Sequence, residues 1–152
     1  MGCDIYAYVE QRPRGTHTWE HQADIKVFDW RSYRLFGWLG DVRNESAVPP
    51  IAAYRGLPAD VSNHVRRDRE VWEPDGYGVS WVAVTELLEF DYDATFEDRY
   101  VNTDGRGITV GPGEGTLTTY REFLGPAFFE ELAQLAGLER QRETRVVFWF
   151  DS

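Results

Sequence analysis

Between Thr144 and Phe150 the chain is apolar on both faces of any strand it could form. Val146, Phe148 and Phe150 fall on one side and Val147 and Trp149 on the other. An edge strand, or one with a solvated face, alternates apolar with polar residues; this one needs cover on both sides and predicts a central position in its sheet. The 152 residues, 42% hydrophobic with 9 Phe, 8 Tyr and 6 Trp, can supply that cover. A domain of about 150 residues hides roughly two-thirds of its unfolded surface, so neither a metal nor a disulfide is needed to hold it together. The single cysteine, Cys3, excludes an internal disulfide and fits a reducing cytoplasm.

Other elements follow from periodicity. Residues Cys3 to Glu10 alternate, with Ile5, Ala7 and Val9 against Asp4, Tyr6, Tyr8 and Glu10, which predicts a strand. After a turn over Gln11 to Gly15, the aromatic and branched residues of Trp19 to Phe28 suggest a returning strand and hence a hairpin. Ser32 to Val42 reads as a short amphipathic helix, and a second one after Pro58 carries Val61 and Val65 inward. Gly78 to Val84 predicts an apolar strand with a single helical turn after it. The turn residues Asp104-Gly105 and Gly111 to Gly115 mark residues 91–118 as the least regular stretch. Pro126 opens a helix carrying Phe128, Phe129, Leu132, Leu135 and Ala136 and ending at Gly137. No repeat or linker divides the chain. The expectation is one α+β domain over residues 1–152, with a mainly antiparallel sheet and helices packed on one face.

With 26 acidic against 16 basic residues and a formal charge of -10, the surface repels polyanions, so direct nucleic-acid binding is not expected. Seven acidic residues and one Arg lie between Glu86 and Asp104. No run approaches the ~18 apolar residues of a membrane helix. The first residues carry Asp4, Glu10, Arg12 and Arg14 where a signal peptide has its apolar core, so no membrane partner and a cytoplasmic location are expected.

Candidate chemistry is sparse. Cys3, Asp4, His17, His21 and His64 are metal-ligand types, but their spacing lacks the tight ligand pairs of zinc sites, and no metal or cofactor is expected. Cys3 as a nucleophile would need a nearby base, and a lone cysteine is more often core. Asp4 and Glu10 share a strand face but stand about 20 Å apart at ~3.3 Å per residue, too far for a catalytic pair. The run from Asp91 starts like a calcium loop, yet has Phe96 where glycine is required and Asn102 where glutamate is expected. The glycines from Gly111 to Gly115 could cradle a phosphate, but the Lys-Ser/Thr ending of a P-loop is missing. The surplus of rings, among them Tyr6, Tyr8, Trp19, Trp30, Trp38 and Trp81, predicts at least one partly exposed aromatic cluster able to anchor a ligand or another protein.

The opening Met1-Gly2-Cys3-Asp4-Ile5 resembles a family of small uncharacterised bacteriophage and bacterial proteins that begin Met-Gly-Cys-Asp-Ile-His. The resemblance continues through Arg31-Ser32-Tyr33-Arg34-Leu35-Phe36, Asp41-Val42-Arg43-Asn44, Arg55-Gly56-Leu57-Pro58 with Asp60 and Ser62, and Ser80-Trp81 with Glu86-Leu87, covering about residues 1–90. Two positions depart: the family histidine is Tyr6, and the histidine-bearing stretch before Ser-Trp is Gly76-Tyr77-Gly78-Val79. Any metal or proton-transfer chemistry those histidines perform in relatives is therefore in doubt in this chain. The resemblance implies Cys3, Asp4, Arg55, Asp60 and Trp81 as candidate walls of a shared pocket, and Tyr6, which stands in place of the family histidine, is a further candidate beside them. The expected function is that of a small cytoplasmic phage-type accessory protein, working in the host cell, that binds a host protein or a small ligand without catalysis. The alternative is a metal-assisted hydrolase or nucleotide-modifying enzyme using Cys3 and Asp4.

Overall fold

The computed structural model describes residues 2–72 and 74–152. Its elements in chain order are β1 (Asp4–Arg12), β2 (Glu20–His21), α1 (Tyr33–Gly40), α2 (Asn63–Trp72), β3 (Gly76–Ala83), α3 (Val84–Glu89), β4 (Thr95–Asp98), β5 (Tyr100–Thr103), β6 (Arg106–Thr109), β7 (Thr116–Thr119), α4 (Tyr120–Gln141) and β8 (Glu143–Asp151). The class is α+β with antiparallel sheets and helices packed on them. The chain forms two compact units, each built from non-consecutive segments: residues 1–31, 54–89 and 128–152 in the first, 32–53 and 90–127 in the second.

The first unit holds a four-stranded sheet in the order β2-β1-β8-β3, antiparallel throughout. The doubly apolar strand β8 lies between β1 and β3, with Tyr6 opposite Trp149 and Tyr8 opposite Val147. On that face Val147 and Trp149 pack with Val61, Val65, Val79 and the rings of Tyr6, Tyr8, Trp72 and Trp81, so α2 and the loop before it form the cover. Helical cover reaches the second face too, where the buried Gln11 side chain donates to the Leu138 carbonyl at the end of α4. Phe28 stacks on Phe128 of the same helix at 5.5 Å between centroids.

The returning strand expected over Trp19 to Phe28 is only two residues long, Glu20 and His21. The ladder stops at a turn closed by the Ile25 N–H donating to Gln22 O at 3.2 Å, after which the chain meets α4. Phe28 adopts φ 58, and its N–H donates to Glu131 Oε2 at 2.8 Å, while the Trp30 indole N–H donates to Oε1 of the same carboxylate. A left-handed residue cannot continue a strand.

In the second unit α1 is capped by Ser32, whose hydroxyl accepts the Leu35 N–H at 3.2 Å. It ends at Asp41 with φ 54. The Asn44 side chain then ties the loop, donating to Val48 O at 2.8 Å and accepting from Val48 N at 3.0 Å. The expectation of irregular structure over 91–118 is overturned: two short antiparallel pairs form there, β4 with β7 and β5 with β6. Asp104-Gly105, with φ 55 and 77, is the two-residue turn joining β5 to β6; two positive φ values match the twist of a tight hairpin. A ring cluster of Trp38, Phe90, Tyr92, Phe96, Tyr120 and Phe123 forms this unit's core.

Helix α4 begins before Pro126 and continues past Gly137 to Gln141, interrupted at Gly125, where φ 81 and ψ 171 are accessible essentially only to glycine. Pro126 thus opens the longer portion, as its missing N–H requires.

Candidate functional site

The sequence candidates fall into three places, all in the first unit. Cys3 is fully buried at the start of β1, its Sγ 3.3 Å from the Tyr77 hydroxyl. Asp4 faces outward and accepts from Arg31 Nε and Nη2 at 3.0 and 2.9 Å. Neither is among the residues lining the cleft that holds Tyr6.

Arg55, Asp60 and Trp81 do converge, through a residue the sequence reading passed over, Arg145. Its guanidinium lies 3.9 Å from the Trp19 ring on one side and 5.8 Å from Trp81 on the other. Arg12 covers Trp19 at 4.4 Å and Arg55 covers Trp81 at 4.6 Å, so cations and indoles alternate in the order Arg12, Trp19, Arg145, Trp81, Arg55. Each cation also has carboxylate partners. Arg145 donates to Glu10 at 2.8 Å and to Asp60 at 2.9 Å, Arg12 to Glu143 at 2.8 Å, and Arg55 to Glu86 at 2.7 and 2.6 Å. Burial opposes ionisation of Asp60, but the hydrogen bonds from Arg145 and Trp19 outweigh it and hold the carboxyl below its usual range. Hydrogen bonds from Arg12 and Arg55 do the same for Glu143 and Glu86. With each guanidinium held by at least one carboxylate, this ladder clamps the sheet to the loops.

Tyr6 belongs to the third place, a cleft of about 290 Å³ along β1, β2 and α2. The β1 alternation points Tyr6 and Tyr8 to one face, β2 places His21 beside them, and the first turns of α2 add His64 and Asp68. The two imidazoles stack with centroids 4.3 Å apart and planes 8° from parallel. Asp68 Oδ2 accepts from the Tyr8 hydroxyl at 3.0 Å and lies 3.6 Å from His64 Nε2. Lys26, the sole lysine of the chain, and Asp29 complete the polar rim. Burial, and then the neighbouring His64 and Lys26, hold His21 below its ordinary 6.5, so it is a neutral imidazole at neutral pH. Burial, followed by the hydrogen bond to Asp68, pushes the Tyr8 phenol well above its ordinary 10.0.

Family models, curated proteins and solved structures offer no match to this chain.

His17 is exposed on the hairpin, and His21 pairs with His64, 43 positions further along the chain. The shared face of Tyr6 and Tyr8 and the i,i+4 placement of His64 and Asp68 on one helix were open to sequence reasoning; the meeting of the two was not. Among the described residues no three His, Cys, Asp or Glu groups are placed to hold a metal ion. No helix among them is long and apolar enough to cross a membrane. The phosphate-cradle candidate at Gly111 to Gly115 already holds carboxylates. Glu97 accepts from Gly113 N and Gly115 N at 3.0 and 2.8 Å, and Glu114 accepts from Gly111 N at 3.0 Å.

Proposed function

We propose that this is a small phage-type accessory protein of the host-cell cytoplasm that acts by binding, without turnover, and that a small polar ligand occupies the cleft beside His21 and His64. One observation carries the reading: a concave site in which neutral imidazole, phenol, carboxylate and ammonium groups converge on a rigid strand and helix. Apolar side chains Ile5, Ala7 and Ile25 alternate with these polar groups along the walls, which suits an organic molecule carrying several hydrogen-bonding groups. Binding is favoured over hydrolysis through Cys3 and Asp4 because the thiol is buried against Tyr77 and the carboxylate is engaged by Arg31. The cleft also favours a small ligand over a host protein. The strongly exposed apolar side chains, Tyr54, Val71 and Leu117, are scattered along the sequence.

The test titrates isotope-labelled protein with amino acids, nucleosides, monosaccharides and dicarboxylates while amide shifts are followed. The expected result is saturable shifts at Tyr6, Tyr8, His21, Lys26, His64 and Asp68 with one class, lost in a Lys26→Gln, Asp68→Asn variant that keeps its fold. Silence of the cleft towards all four classes refutes the reading. So does the appearance of a reaction product, or stoichiometric metal in the purified protein, either of which supports the enzyme.

A further inference from the structure

The second unit carries nine acidic and five basic residues, yet two of those five line one cleft of about 230 Å³. Arg34, from the first turn of α1, and Arg43, from the loop after it, are joined there by Ser32, Tyr33, Ser46 and Tyr100. Glu45 is the single acidic residue in the lining, which leaves a net positive site in an acidic unit. Arg34 has no carboxylate partner among the described residues; its guanidinium lies over the Phe123 ring at 5.3 Å. The Arg43 guanidinium lies 5.6 Å from the Tyr33 ring, presented by a backbone at φ 50. Ser46, only 7% exposed as a residue, adds a hydroxyl to the wall. Tyr100 is seated across Gly107, where a Cβ would collide with the tyrosine ring and oxygen, so the glycine is what allows the ring to lie there.

We infer that this cleft binds a phosphate group, either inorganic phosphate or the end of an aromatic phosphomonoester. Two guanidinium groups and the Ser46 hydroxyl supply donors from several directions, which suits a tetrahedral dianion better than a planar carboxylate. The flanking Tyr33 and Tyr100 rings give an attached aromatic group surfaces to rest on. The two stretches that carry the family resemblance, residues 31–36 and 41–44, supply four of the seven lining residues. The inference is independent of the His21–His64 cleft, which belongs to the other unit.

The experiment titrates labelled full-length protein with inorganic phosphate, phenyl phosphate and benzoate at fixed ionic strength. The expected result is saturable shifts at the amides of Ser32 to Arg34, Arg43 to Ser46 and Tyr100 with both phosphates. Phenyl phosphate should bind more tightly than inorganic phosphate if the rings contribute, while equal affinities identify free phosphate as the ligand. Arg34→Gln, on an exposed position, should weaken binding by about 10-fold or more with an unchanged melting temperature. Arg43→Gly, which keeps the left-handed backbone comfortable, should do the same. The inference is overturned if neither phosphate gives a saturable shift at about 20 mM, if benzoate binds as tightly as phenyl phosphate, or if both variants retain affinity within about two-fold. Shifts centred on His21 and His64 in place of Arg34 and Arg43 overturn it as well, without touching the reading of the first cleft.

Discussion

Replacing Arg145 with methionine is the sharpest probe of the cation and indole ladder. The substitution keeps most of the aliphatic stem and removes the guanidinium. Arg145 is 3% exposed and Glu10 is 0% exposed, so the loss leaves the Glu10 carboxylate in the interior with one remaining partner, the Ser62 N–H at 2.8 Å. Asp60, half exposed, is rehydrated and contributes little to the cost. Removing one member of a buried ion pair costs about 3–5 kcal/mol. For a chain of this size that lowers the melting temperature by roughly 6–20 °C. Urea unfolding followed by tryptophan fluorescence and by far-UV circular dichroism should be compared for the wild type, Arg145→Met, Glu10→Met and the double variant. Two apolar side chains replacing a buried pair are often close to neutral, so the double variant should lose less than the two singles combined, by about 2 kcal/mol. A single variant within about 1 kcal/mol of the wild type, or strict additivity, refutes the argument that Glu10 depends on Arg145.

Gly125→Ala should cost about 1–3 kcal/mol through backbone strain alone, since nothing lies within 4 Å of the added Cβ; an unchanged urea midpoint would show that the break in α4 relaxes. Phe128→Ala removes a fully buried ring stacked on Phe28 and should cost about 3–5 kcal/mol in the same assay. His21 is depressed in the folded protein, so the unfolded chain takes up the proton first; the stability it contributes is present above pH 6.5 and is lost as pH falls through the folded value. His21→Gln should flatten that limb of the urea midpoint against pH. The later loss below the ordinary 4.5 of glutamate, where Glu143 and Glu86 take up protons, should remain. Glu97→Gln should speed amide hydrogen exchange at Gly113 and Gly115, the two N–H groups its carboxylate accepts from; unchanged protection there would show that the loop orders itself.

Much of the framework was legible because it depends on local pattern. The two apolar faces of β8 place it between neighbours, and the periods of α1, α2 and α4 mark their buried sides. Residues 91–118 were misread because β4 to β7 are four residues each and largely exposed, so no alternation survives in them; only the turns between them stand out. Long-range partnerships left no trace. Arg145 reaches Glu10 across 135 positions, and the imidazole stack depends on the β1–β2 register as much as on α2. Of the six candidate residues, Arg55, Asp60 and Trp81 meet around Arg145, Tyr6 lines the cleft, and Cys3 and Asp4 join neither group.

The pairing of β1 with β8 has a consequence for how the protein is made. Arg12 and its cross-strand neighbour Glu143 lie 131 positions apart, so β1 leaves the ribosome well before the strand it pairs with. At about 5–20 residues per second that interval is roughly 7–26 s. Throughout it Ile5, Val9 and the Tyr6 and Tyr8 rings sit on a nascent chain beside an unfilled slot, open to chaperones and to neighbouring polysomes.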